Sequence, residues 1–162
     1  MVGMMNSEPL RIADQLSRAF SGDPWHGPPI RDLLAGITAV QASDRPVAAA
    51  HSILELVLHI DLYTQAALEA TDGTPMPGWY GTEQDWPPVL EVSDADWAQA
   101  KERLFQNAVQ LAVAIRTFAE NRLLDIVPGR EYDFYYLFHG VVQHSLYHGG
   151  QIALLKKVIA VQ

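Results

Sequence analysis

Apolar side chains return at steps of three and four along most of this chain, the period of helices with one face turned inward. In SEPLRIADQLSRAF, Leu10, Ala13, Leu16 and Phe20 form such a stripe, with Ser7 at the cap position and Pro9 in the first turn. SGDPWHGPP interrupts it and IRDLLAG resumes a short helix ending near Gly36, so the first helix is expected to be bent or split. A second, longer helix is predicted over SDRPVAAAHSILELVLHIDLYTQAALEATDG. Ser43 or Asp44 would cap it, Pro46 would lie in its first turn, and Asp72-Gly73 would stop it. Ser93 opens a third helix, where Asp94 and Asp96 favour the helix dipole and Leu104, Ala108, Leu111, Ile115 and Phe118 keep the period. After the turn VPGRE a fourth helix runs to Lys156 and Lys157, two cations suited to a helix C-terminus. No stretch alternates residue by residue as a half-buried strand would, and no repeat or low-complexity tract is present. The pattern predicts an all-α fold, a four-helix bundle taking residues 1–162 as one domain.

Two segments depart from it. TPMPGWYGTEQDWPPVLEV holds four prolines and two tryptophans, is too long for a plain connection, and is expected to cover something. HGVVQHSLYHGGQIALLKK places Val141, His144, His148, Gln151 and Leu155 on one inward stripe, and follows the second histidine with Gly149 and Gly150. Each glycine inside a helix costs roughly 1 kcal/mol against alanine. The expectation is that something approaches closely there: a neighbouring helix, a partner copy or a ligand.

Six histidines occur, at 26, 51, 59, 139, 144 and 148. At about 100° per residue, His148 lies about 40° from His144, whereas His139 lies roughly opposite His148. On the second helix Ser52, Glu55, His59, Leu62 and Ala66 follow a similar stripe, so His59 meets His144 and His148 if the two helices are neighbours. Neutral imidazoles without partners lose hydrogen bonds in a dry interior, and charged ones cost far more. A divalent metal accepting three nitrogen lone pairs removes both problems and leaves a coordination position open. Zinc and nickel both suit imidazole. The competing reading gives each histidine its own hydrogen bond. It prevails for the His-x-x-x-His pair alone and stands level once His59 is added. His26, His51 and His139 are assigned to the surface or to supporting contacts, with His26 in PWHGPP at a conceivable pocket mouth.

Glu55, one turn before His59, is either a general base acting on metal-bound water or thiol, a partner orienting a ligand, or a glutamate paired with an arginine. The tryptophans at 79, 86 and 97 and the tyrosines at 132, 135 and 136 read as core or pocket wall. A di-iron bundle would need paired Glu-x-x-His motifs, and Glu55 precedes His59 by four with no second copy. His-Glu-x-x-His, a phosphate-cradling loop and a nucleophile elbow are all missing.

Composition narrows the partners. The formal net charge is −8 and no basic run exceeds Lys156-Lys157, which argues against nucleic acid and an anionic membrane surface. The chain has no cysteine, so disulfides, thiolate ligands and a cysteine nucleophile are excluded. The first residues lack a basic start followed by an apolar stretch, and no apolar run approaches the roughly 20 residues that span a bilayer. A cytoplasmic protein acting on a small molecule is expected.

HSILELVLHIDLY together with YYLFHGVVQHSLYHGGQIALLKK resembles the DinB-like family of four-helix-bundle metalloenzymes, related to the YfiT type. That family carries one histidine on the second helix and a His-x-x-x-His pair followed by a glutamine on the fourth; His59, His144, His148 and Gln151 match. WHGPP and RPVAAAHSILELVLHI are similar to one branch of it, and the likeness runs from Trp25 to Lys157. The resemblance implies a divalent metal, commonly zinc or nickel, held by the three histidines, and often a homodimer. Several relatives catalyse transfer or isomerisation with low-molecular-weight thiols such as bacillithiol or mycothiol.

Overall fold

The computed structural model describes residues 7–86 and 92–160. Among them are six α-helices: α1 (Glu8–Ser21), α2 (Ile30–Leu34), α3 (Ala39–Ser43), α4 (Ile53–Thr71), α5 (Asp94–Thr117) and α6 (Phe134–Ile159). There is no strand among the described residues, only an isolated bridge between Ile126 and Asp133 across the VPGRE turn.

The four long helices are the expected bundle. α1 and α4 each pack on both α5 and α6, so α1 lies diagonally across from α4, and α5 from α6. Their stripes interlock in a core that includes Leu16, Phe20, Ile53, Ile60, Leu104, Leu111, Ile115 and Phe138. Burial of such side chains contributes roughly 1.5–3 kcal/mol each. The diagonal step from α1 to α4 is made through the two short helices. α2 packs on α1 and α6, and α3 on α4 and α5. Lys156 does more than complement its own helix end: its ammonium donates to the carbonyls of Leu33 at 2.9 Å and Ala35 at 2.8 Å, tying α6 to the end of α2. Trp97 Nε1–H donates to Ile37 O at 2.8 Å, tying α5 to the next turn of the same crossing.

The first helix is split as expected, but the second begins later than the pattern predicts. Ser43 ends α3 instead of capping α4, and Asp44 and Pro46 lie between helices. Two reciprocal caps decide this. The Thr38 hydroxyl accepts from Gln41 N while the Gln41 side chain accepts from Thr38 N, starting α3. Ser52 and Glu55 make the same pair and start α4. Each satisfies two backbone donors that helix extension would have to reassign. Ser7 stands at the N-cap of α1 without a side-chain bond.

The expected tight approach at the glycine pair is not found among the described residues. A methyl group on Gly149 would meet Ile30 and Leu33 of α2 at 3.7 and 3.8 Å, ordinary contact distances, and one on Gly150 would meet nothing within 4 Å. Gly149→Ala and Gly150→Ala are therefore each expected to stabilise the protein by about 0.4–1 kcal/mol in denaturant melts. A loss at exposed Gly150 would reveal a neighbour from outside the described residues.

Candidate metal centre

The late start of α4 fixes where His59 falls. His59 is buried, and its ring and that of Tyr63 one turn on lie against the histidines of α6. On α6, capped by Asp133 at Tyr136 N, the pair His144 and His148 stands one turn apart on the stripe facing α4. His148 is buried and His144 half-buried. Ring centroids of His59 lie 4.9 Å from His144 and 4.8 Å from His148, and the latter two are 4.5 Å apart. One ring nitrogen of each lies within 4.8 Å of those of the other two.

The hydrogen bonds around the cluster set which nitrogens those are. His59 Nδ1 lies 2.8 Å from the Asp85 carbonyl, which only accepts, so the proton is on Nδ1 and Nε2 carries the lone pair. His148 Nδ1 donates likewise to Gln151 Oε1 at 2.7 Å, leaving its Nε2 free. His144 Nε2 lies 2.9 Å from His59 Nε2, while His144 Nδ1 is buried with no partner among the described residues. Two imidazole lone pairs at that separation repel unless a proton or a cation lies between them. Nitrogens bound at about 2.0–2.1 Å to one tetrahedral ion stand about 3.3 Å apart, the scale of the separations in this cluster. The donor set, its tautomers and its spacing thus fit a divalent cation.

Electrostatics agree. Burial lowers the pKa of all three rings. For His144 the fall is to about 3, caused first by burial and then by the neighbouring His148 and His59. The Asp85 carbonyl partly opposes it at His59, and Gln151 at His148. All three rings are held neutral at pH 7, the form that binds a metal.

The proline-tryptophan segment covers the cluster. The Trp86 indole stacks on His59 at 3.9 Å with 1° between planes and on His51 at 3.5 Å with 4°. Two parallel rings that close must lie on opposite faces, so Trp86 is sandwiched between His51 and His59. The buried Asp85 holds this segment down, its carboxylate accepting from Tyr63 O–H at 2.7 Å and Gly81 N–H at 3.3 Å. That bond, after burial, raises the Tyr63 pKa and keeps the phenol protonated. Trp86 is the wall residue expected from the sequence, whereas Asp85 escaped sequence reasoning, because a loop has no period to place it. Pro87 to Glu91, the rest of that loop's second proline run, lie outside the described residues.

The remaining candidates are elsewhere. His139 lies 3.5 Å from Glu8 and packs at a tilt against Tyr135. His26 is exposed in the turn before α2. Glu55 is buried, with one carboxylate oxygen accepting from Ser52 N–H at 2.7 Å and the other paired with Arg45. It is outside the group of converging ligand atoms.

The sequence model of the DinB superfamily matches residues 29–152, a span containing α2 to α5, most of α6 and all three histidines. The chain belongs to the DinB superfamily. Neither the curated proteins nor the solved structures gave a match. As a DinB protein the chain has the expected all-helical fold, and its histidines from the second and fourth long helices form a possible three-histidine metal site.

Proposed function

We propose that this DinB-superfamily protein is a divalent-metal-dependent enzyme of the thiol-dependent S-transferase or isomerase type, acting on a small electrophile. The observation that supports it is the convergence of three imidazoles, two of them fixed in tautomer by hydrogen bonds to Asp85 and Gln151, without a fourth protein ligand among the described residues. Three protein ligands with one position left over is the pattern of catalytic zinc sites. His59, His144 and His148 would hold the metal, zinc or nickel, which when bound supplies a Lewis acid that lowers the pKa of a small thiol. Asp85 and Gln151 orient the ligands. Trp86 shields His59 from water on one side.

The hydrolytic alternative needs a carboxylate free to take a proton from water. Glu55 is committed to its cap and to Arg45, and Asp85 to Tyr63 and Gly81, so neither is assigned that part. The acidic surface favours a small-molecule substrate over nucleic acid, and no described helix is long and apolar enough to cross a membrane. Cytoplasmic residence and a homodimer, with the exposed Gly150 side of α6 as the place to look, complete the reading.

Elemental analysis of the purified protein, followed by calorimetric titration with low-molecular-weight thiols, tests it. About one zinc or nickel per chain and a thiol affinity that vanishes with the metal are expected. Metal without any thiol binding would move the assignment to hydrolysis or to a metal-stabilised binding module; absence of metal affinity would end both enzymatic readings.

A further inference from the structure

A pocket of about 140 Å³ opens beside the histidine cluster, its walls including Tyr63, Met76, Tyr132, Leu137, Gly140 and His144. Two of its tyrosines turn their hydroxyls to protein partners: Tyr63 donates to Asp85, and Tyr132 to Met76 Sδ at 3.5 Å. What they leave for a ligand is ring surface. The thioether of Met76 and the methyls of Leu137 continue the apolar wall. His144 is the one wall residue that also belongs to the metal cluster, so the pocket and the candidate centre share a side chain. Tyr136, 65% exposed, stands at the mouth.

Gly140 is what keeps this space open. It lies in the interior of α6, where glycine is unfavourable, and an added Cβ would meet nothing within 4 Å. Side chains on a helix lean toward its N-terminus, so any at 140 would lie over Tyr136 and Leu137, which are pocket wall. A leucine there would fill the pocket from a backbone position that tolerates it.

We propose that this pocket sets the substrate class: a ligand bearing one aromatic ring, or a branched apolar group of that size, within a few bonds of the atom that meets the metal. The size follows from the volume, since dry apolar cavities of about 150 Å³ bind benzene. The proposal rests on the three-histidine metal reading but not on thiol chemistry, and it places the arm of the ligand against Gly140 and Tyr132.

Cobalt(II)-loaded protein, with bound cobalt measured first, is titrated with imidazole and with 4-phenylimidazole while the visible spectrum of the metal is followed. The phenyl compound is expected to bind at least about tenfold more tightly. Gly140→Leu should bring the ratio close to one with cobalt content unchanged, and Gly140→Ala should give an intermediate ratio. Equal affinities in the parent protein, or a preference that survives Gly140→Leu, would overturn the assignment of the pocket alone. Failure of the parent protein to bind cobalt would overturn the metal reading, and the pocket assignment with it.

Discussion

His144→Ala is expected to weaken divalent-metal binding by at least about a hundredfold, and His59→Ala and His148→Ala to act similarly, while His139→Ala leaves it unchanged. Apparent free energies for four-ligand zinc sites run to about 10–16 kcal/mol, so one ligand accounts for roughly 3 kcal/mol, and each 1.4 kcal/mol is a factor of ten. His144 is the most informative position. Its Nε2 lies 2.9 Å from His59 Nε2, and its Nδ1 has no partner among the described residues, so its one polar contact there is with another histidine of the cluster. His139 controls for the loss of an imidazole from α6, because it faces Glu8 and Tyr135 away from the cluster. Competition against a chromophoric chelator gives the affinities. Metal affinity in His144→Ala equal to that of the parent protein would leave three separately hydrogen-bonded histidines as the better account.

Much of this site could be read without coordinates, for a reason that also marks where such reading stops. His59 and His144 are 85 residues apart, yet each falls on a stripe of three-and-four steps that also carries apolar residues, Leu62 and Ala66 on one and Val141 and Leu155 on the other, and the helical period turns both inward. That α4 and α6 are neighbours needed the fold, since α5 intervenes in sequence. The start of α4 was misplaced because Val47 to Ala50 continue an apolar run that fits a helix. The Thr38-x-x-Gln41 and Ser52-x-x-Glu55 caps, both visible in the sequence, outweigh it. That same cap places Glu55 on the His59 stripe, although its carboxylate turns back to Ser52 and Arg45. Asp85 binds His59 through its backbone carbonyl, a contact that leaves no trace in residue type. Among the glycines, the pair beside His148 drew notice by breaking the helix rule twice, whereas Gly140, which breaks it once, borders the pocket.

The metal-free protein is expected to lose stability steadily as the pH falls from about 6.5 toward 5, and the metal-loaded protein to lose more over the same range. For His59, His144 and His148 the folded-state pKa lies below the ordinary histidine value. At a pH between the two values the unfolded chain binds protons that the folded protein excludes, so unfolding takes up protons and acid favours it. Stability from these groups is fully present above about pH 6.5 and is lost as the pH falls toward the folded-state values, about 3 for His144. Each excluded proton contributes a slope of about 1.4 kcal/mol per pH unit, and His144, with its value near 3, excludes its proton across the whole interval. Carboxylates with ordinary values near 4 stay ionised over that interval, which makes pH 6.5 to 5 the window in which histidines are read. A bound metal adds to the slope, because its ligands must be neutral and protons compete for all three nitrogens. Urea midpoints measured across this window, with and without metal, give the slopes directly. In His144→Gln the slope of the metal-free protein should shrink by about one proton. A midpoint independent of pH between 6.5 and 5 would show that the rings accept protons in place, and so that the cluster is open to water rather than held neutral for a cation.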